Sequence, residues 1–452
     1  MLRVAVIGSG PSGCYTAQSL VQSDPEVHVD VLDRLPCPYG LVRYGVAPDH
    51  EKIKSLQVSL RTVLEHERVR FLGGVRVGGP GGLPVERLRE LYHAVVYCVG
   101  AASDRRLGVP GEELPGSWSA TEFVSWYSAH PDAADTGFLR GVRSAVVIGV
   151  GNVAVDVTRM LVRGAAELRS TDIPQAALDT LTASGINEVH MVGRRGPAQA
   201  RFTTKELREL GGLPGIDVTV DPADLALDPV DPATLPAAQR RNVEVLRGWA
   251  VPPRAPAGRR IGLRFFLRPV ALLPAPGSAL EPGGERVGAV RFERTAPDGH
   301  GGVTGTGRFE DVPAQLVLRS VGYRGVPLDG LPFDAATGTV PHVAGRVVRD
   351  GVPSPGEYVA GWIKRGPTGV IGTNRPCAKE TALSLLADAA TLARADVPED
   401  PVAALRAGGI DPVPWSGWLS IERAEAALGA DLGRSVVKLA DWDTLLGAAR
   451  TS

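Results

Sequence analysis

Two stretches of the chain share one pattern: a short apolar run, a glycine-bearing turn, then apolar positions at helical spacing. The first runs from Val4-Ala5-Val6-Ile7 through Gly8-Ser9-Gly10-Pro11-Ser12-Gly13 to Cys14 and Leu20. The second runs from Ser144 to Ile148, through Gly149-Val150-Gly151-Asn152-Val153-Ala154, and on through Val157, Met160 and Leu161. Apolar runs without polar alternation predict strands covered on both faces, as in parallel sheets. Further runs of this kind span 27–32, 69–72, 75–77, 91–100, 188–193, 262–267 and 316–322, and another begins at Tyr358. Helical spacing predicts a helix over 51–65, with Ile53, Leu56, Leu60 and Leu64 on one face, and another over 378–392. The Pro- and Gly-rich stretch 36–50 is expected to be neither strand nor helix. Strands alternating with helices predict an α/β fold of two doubly wound, Rossmann-like, three-layer domains.

Each turn carries chemistry as well as geometry. Gly8 permits a sharp bend, Gly10 lets a pyrophosphate approach the backbone, and Gly13 lets helix and strand pack closely. The helix that follows presents free amides and a partial positive charge to phosphates. Asp33 closes the next strand, and an acid about twenty residues past the last glycine grips a ribose hydroxyl pair. In the second turn Ala154 stands at the third glycine position, and the next strand ends in Arg194-Arg195 instead of an acid. An acid repels a 2′-phosphate, whereas a guanidinium fork binds one through paired charge-assisted hydrogen bonds. The second ligand is therefore expected to be NADP(H), and the first a dinucleotide without that phosphate. A solvated charged loop is the alternative for the arginine pair. Thr203 is a candidate cap for a helix on which Glu206 and Glu209, three apart, share a face.

A third stretch, 358–374, runs from an apolar strand through Trp362 into the glycine-rich Gly369-Val370-Ile371. The helix after it aims its amides and dipole at whatever lies over that turn. The composition at 104–111 is that of a chain leaving one domain, and the chain returns near 325. This predicts domains at 1–104, 105–324 and 325–452, the first and last forming one unit. The insertion 163–185 has no functional reading. Nor does the tail 395–452, where Trp415, Trp418 and an Ala-rich stretch predict packing on the body.

With 452 residues and 44% hydrophobic content, the chain can bury a large core in two or more domains. A net charge of −1 excludes a global attraction to nucleic acid or an acidic membrane. No stretch reaches the ~20 apolar residues of a membrane span, and residues 1–7 read as a strand and not a removable signal, so a cytoplasmic protein is expected. Cys14, Cys37, Cys98 and Cys377 are far apart with no CxxC, which argues against an iron–sulfur, metal or redox-disulfide site. Positive charge dominates from Arg240 through Arg241, Arg247, Arg254, Arg259, Arg260 and Arg264 to Arg268, against Glu244. That run is either a solvated face or a docking patch for an acidic protein.

The run Gly40 to His50, GLVRYGVAPDH, resembles the signature of adrenodoxin-reductase-type NADPH–ferredoxin reductases, and the likeness extends from residue 2 to about 390. The resemblance implies FAD in a discontinuous domain, NADPH in a domain inserted into it, and a monomer. It implies FAD contacts at Ser12, Asp33, Leu41, Val77, Trp362, Gly369, Val370 and Ile371. For NADP it implies Arg105, Gly151, Asn152, Val153, Ala154, Arg194, Arg195, Glu206 and Gly369. His50 and Glu209 are implied as the catalytic pair, in a hydrogen-bonded relay near the flavin–nicotinamide contact. Asp33 departs from the family's commoner Glu. The implied activity passes a hydride from NADPH to FAD and then single electrons to a ferredoxin or similar small iron–sulfur protein. Other readings are a quinone or dye reductase, an electron-input subunit like that of glutamate synthase, and a non-catalytic NADP(H)-sensing flavoprotein. Fused cysteine clusters, the mark of such an input subunit, are not present in the sequence.

Overall fold

A computed structural model describes residues 1–133, 137–228, 230–251, 258–276, 284–392 and 396–451. The chain divides into two compact units. One comprises Met1–Ser103, Ser128–Asp132 and Tyr323–Ser452; the other comprises Asp104–Tyr127 and Ala133–Gly322.

The discontinuous unit is built on a seven-stranded sheet. Leu2–Ile7 is central and parallel to both neighbours, Val27–Leu32 on one side and Ala94–Tyr97 on the other. Val69–Leu72 extends the first side and Val352–Val359 the second, both parallel, before Arg346–Arg349 and His342–Val343 add an antiparallel edge. Side chains of the central strand alternate between two apolar layers. Val4 and Val6 meet Leu20, Leu385, Trp418 and Ile421 from the helices Pro11–Ser23, Asn374–Leu392 and Trp415–Asp431. Ala5 and Ile7 meet Leu88, Val95, Tyr97 and Val359 on the other face. Both faces are covered, which is why the strand is an unbroken apolar run.

The inserted unit holds six parallel strands. Their order is Ser117–Ser119, Leu316–Arg319, Ser144–Ile148, Glu188–Val192, Arg259–Arg264 and Ile216–Val220. Helices cover one face through Phe123, Met160, Leu207 and Leu246. The other face is covered by an antiparallel sheet of Leu267–Pro274, Val287–Pro297 and Val303–Pro313, whose Leu272, Val290, Phe292 and Val312 pack on Val146, Ile148 and Val317. The three layers here are thus helix, sheet and sheet. The 163–185 insertion supplies the helices Ala165–Leu168 and Gln175–Thr182, and buries Leu168, Leu178 and Leu181 in the helical layer.

Several expected elements end earlier or break. The 51–65 helix is two, Glu51–Lys54 and Leu56–Leu64, which meet at Ser55; the Ser55 amide still donates to the Glu51 carbonyl and its hydroxyl to that of Lys52. Only Leu60 and Leu64 of the four expected apolar positions are fully buried. Residues 75–77 form no strand; Val77 makes a single bridge to Leu83 before Gly78 and Gly79 take positive φ. The 91–100 run begins inside the helix Val85–Leu91, leaving Ala94–Tyr97 as strand. The 36–50 stretch contains one helical turn, Leu41–Tyr44. The 262–267 run breaks at Phe266, whose φ of +54° redirects the chain into the antiparallel layer. The 378–392 helix starts earlier, at Asn374.

Candidate functional site

In the discontinuous unit the first glycine turn leaves the C-terminal end of Leu2–Ile7. The strand has parallel partners on both sides there, Val27–Leu32 next in sequence on one side and Ala94–Tyr97, reached after the chain crosses back, on the other, the place where open α/β sheets bind ligands. Gly8 has φ +106°, and a Cβ there would lie 2.7 Å from the Cys98 carbonyl oxygen. At Gly13 a Cβ would lie 1.8 Å from the Gly8 oxygen, so helix and turn meet with room only for hydrogen. Gly10 faces Gly40: a Cβ on Gly40, whose φ is +48°, would lie 2.9 Å from the Gly10 Cα. Pro11 opens the helix and no side chain caps it, which leaves first-turn amides for a ligand.

Asp33 does more than end a strand. Its Oδ2 accepts from the Ser9 amide (2.8 Å) and hydroxyl (2.6 Å), and Oδ1 accepts from the Leu35 amide (2.9 Å). Burial pushes its carboxyl above the ordinary value, against the lowering effect of those donors. It therefore ties the second strand to the glycine turn whatever else it binds.

Ser12 Oγ and Trp362 Nε1 are among the buried polar atoms of this unit that have no hydrogen-bond partner among the described residues. A Cβ on Gly361, at φ +79°, would lie 2.4 Å from that hydroxyl, so glycine at 361 is required by Ser12. Trp362 leans on Tyr323 with ring centroids 5.4 Å apart. Leu41, Gly369 and Val370 are exposed and Ile371 is half-buried. The turn is stitched by Thr373 Oγ1, which accepts from the Val370 amide, and by Asn374 Nδ2, which donates to the Ile371 carbonyl. Val77 packs with Val75 and Leu83 in the apolar layer. His50 is buried and its carbonyl accepts from the Ile53 and Lys54 amides.

The sequence reading missed what anchors the Leu41–Tyr44 turn. Arg43, buried to 4% exposure, donates through both Nη atoms to Glu425, itself 3% exposed. The guanidinium sits 5.0 Å from the rings of both Tyr44 and Trp418, and Lys438 Nζ donates to the Arg43 carbonyl at 2.6 Å. A charged residue in the apolar LVRY run was the only available signal. Its partner is 382 residues away.

In the inserted unit the second turn repeats the design at the end of Ser144–Ile148. Gly149 has φ +139° and would drive a Cβ within 2.1 Å of the Ser320 oxygen, whereas Gly151 faces open space. Ala154 is fully buried and fills the third place. Asn152 Oδ1 accepts from the Thr203 amide at 2.8 Å, joining the turn to the start of the helix Thr204–Gly211. Thr203 caps that helix through the Glu206 amide, at 3.4 Å. Glu206 is buried. Glu209 accepts from Arg159, a guanidinium 1% exposed that also holds Asp156 at 2.9 Å, and lies 3.4 Å from Lys205. Val153 is half-buried beside Ala154. Arg105 is exposed, its amide donating to the Gly322 carbonyl.

Arg194 is exposed and Arg195 half-buried. Their backbone is fixed: Thr295 Oγ1 donates to the Arg194 carbonyl (2.9 Å) and the Phe266 amide to the Arg195 carbonyl (3.2 Å). The expected contacts thus gather in two sets, one in each unit, with His50 in the first and Glu209 in the second.

The cysteines are free and buried, and burial pushes the thiols of Cys37 and Cys98 up to about 11 and about 12. They are inert. The basic run is not one patch, since Arg260, Arg264 and Arg268 pair with Glu188, Glu310 and Glu293. Arg259 donates to the Val162 carbonyl; Arg240, Arg241 and Arg247 remain exposed on the helix Ala237–Gly248, and Arg254 lies outside the described residues. Among the described residues no helix is long and apolar enough to cross a membrane.

Residues 2–210 match the family model for pyridine nucleotide-disulphide oxidoreductases. The chain is 46% identical to the NADPH-ferredoxin reductase FprA of Mycobacterium tuberculosis, over 98% of each chain. It is 40% identical to the mitochondrial NADPH:adrenodoxin oxidoreductase of Arabidopsis thaliana, over 99% of this chain and 95% of that protein. The solved structure of Mycobacterium tuberculosis FprA in complex with NADPH superposes with a TM-score of 0.90, at 44% identity and 99% coverage of both chains.

Proposed function

The chain belongs to the family of NADPH–ferredoxin and NADPH:adrenodoxin reductases, and from that premise we propose that it is an FAD-dependent NADPH–ferredoxin oxidoreductase. The observation that carries the reading is the contrast between its two turns. Each follows an interior parallel strand, and one is tied to an acid while the strand beside the other runs into a pair of arginines.

The discontinuous unit fits FAD. The Gly8–Gly13 turn and the uncapped helix start are the groups offered to the pyrophosphate, and Asp33, at the end of the next strand, is the acid assigned to the ribose. The unpartnered Ser12 Oγ and Trp362 Nε1, which cost free energy if left dry, supply polar contacts. Leu41 and the open Gly369-Val370-Ile371 turn supply the remaining surface, and Val77 backs it from the apolar layer. When bound, FAD supplies acceptance of a hydride and release of electrons one at a time.

The inserted unit binds NADPH. Gly151 to Ala154 admit the pyrophosphate, Arg194 and Arg195 pair with the 2′-phosphate, and Arg105 and Glu206 complete the contacts. Arg159 fixes the carboxylate of Glu209 within the inserted unit; Glu209 there and His50 in the discontinuous unit are the two residues to which the family resemblance assigns the catalytic relay. No side-chain nucleophile is needed, consistent with inert cysteines. The electron acceptor is a ferredoxin or similar iron–sulfur protein, with exposed Arg240, Arg241 and Arg247 offered to its acidic face. The protein acts as a monomer in the cytoplasm.

Arg194→Ala with Arg195→Ala is expected to lower kcat/KM for NADPH about 100-fold and leave NADH nearly unchanged, since each lost charge-assisted contact is worth ~1.5 kcal/mol or more. Steady-state kinetics with both nucleotides, on a yellow protein that bleaches near ~450 nm with NADPH, is the test. Equal losses for the two nucleotides would remove the 2′-phosphate assignment. A colourless protein that refuses FAD would remove the whole reading.

A further inference from the structure

Seven residues past Arg194 stands another arginine, Arg201, exposed on the same loop. Its backbone is stitched to the second glycine turn: the Arg201 amide donates to the carbonyl of Val150, the residue between Gly149 and Gly151, at 2.9 Å. Two residues on, the Thr203 amide meets Asn152 Oδ1 at the start of the helix. The other limb of the loop is equally fixed. The Ala198 amide donates to Asp228 Oδ2 at 2.8 Å, and a Cβ on Gly196 would lie 2.6 Å from both Asp228 and Phe266. The loop thus holds Arg194 and Arg195 at one end and Arg201 at the other, pinned to the rim of one turn.

Among the described residues, none of these three guanidiniums has an ion-pair partner. Other arginines on the unit, such as Arg264 and Arg294, are paired with acids. Burial holds Arg195 below its ordinary value, and Arg201 and then Arg194 lower it further. The acid that meets the loop, Asp228, is taken up by the Ala198 amide, and the repulsion that Arg201 and Arg194 exert on Arg195 is relieved by an arriving dianion. A phosphate monoester carries close to two negative charges and three acceptor oxygens, enough for more than two guanidinium forks.

Resting on the reading of this rim as the 2′-phosphate site, we propose that Arg201 is its third cation and sets how strongly NADPH is preferred over NADH. Its contribution is partly screened because it is exposed, so it is smaller than that of half-buried Arg195 and falls as salt rises.

The probe is 2′,5′-ADP, which carries the 2′-phosphate without the nicotinamide, titrated calorimetrically with 5′-AMP as control. Arg201→Ala is expected to weaken 2′,5′-ADP about fivefold at low salt. It should leave 5′-AMP and the thermal midpoint unchanged. Arg201→Lys should recover part of the loss, and the KM for NADPH should rise while that for NADH does not. If Arg201→Ala binds 2′,5′-ADP like the parent while Arg194→Ala and Arg195→Ala do not, Arg201 is a solvated residue and the proposal fails with the site reading intact. If none of the three substitutions changes binding, the site reading fails with it.

Discussion

At Gly13 the helix approaches the preceding turn until only a hydrogen fits, with a virtual Cβ 1.8 Å from a backbone oxygen. Neither partner there is a flexible side-chain end, so relief requires moving backbone. Gly13→Ala is therefore expected to displace the start of the helix and open the phosphate cradle. The measurable outcome is a protein purified with little or no flavin and a lower thermal midpoint, whereas full flavin content would show the turn to be more pliant than its geometry implies. Such positions were legible in the sequence because the demand is local and steric. Asp33 was legible as an acid at the right distance, but not as the acceptor for Ser9, which depends on how the second strand is set beside the first. Phe266 gave no signal at all: its positive φ is imposed by packing and hydrogen bonding, with its amide on Arg195 and its carbonyl on Thr295.

At the scale of elements, the tail is part of the first unit's frame. The helix Trp415–Asp431 delivers Trp418 into the apolar layer against Tyr39 and Glu425 onto Arg43. Breaking one side of a buried pair costs about 3–5 kcal/mol, because the remaining charge stays in a poor solvent. Glu425→Ala should therefore lower stability by about that amount in denaturant titrations, and loosen the Leu41–Tyr44 turn. Replacing both partners by apolar residues, Arg43→Met with Glu425→Leu, should recover much of the loss. A small effect of Glu425→Ala would mean that water reaches Arg43. Strand–turn–helix units could be read from periodicity alone; in the tail Trp415 and Trp418 gave the expected packing on the body, but not the Glu425–Arg43 pair, whose partners lie hundreds of residues apart. The antiparallel layer on the inserted unit was equally hidden: periodicity reports that a face is covered, not by what.

At the scale of the molecule, each unit has apolar layers of its own. The clusters around Val4 and Ala5 belong to one unit, and those around Val147 and Val146 to the other. Two cores of this size predict thermal unfolding that departs from a single two-state transition. Ligands that bind only folded protein raise the midpoint of the part they bind. FAD is thus expected to shift the transition of the discontinuous unit and NADP+ chiefly that of the inserted one, read by calorimetry with each ligand separately. One transition that moves equally with both would instead make the two units a single cooperative body.

The strand Val352–Val359, which lies beside Ala94–Tyr97, has a consequence for biosynthesis. On the ribosome, residues 1–103 emerge first but lack that neighbour until some 250 later residues have followed, at ~5–20 residues per second. The inserted unit, contiguous but for Ser128–Asp132, is complete long before that. The part of the polypeptide made second is thus the first able to finish folding, while the front waits with an open sheet edge, a template for mispairing that a chaperone would need to shield.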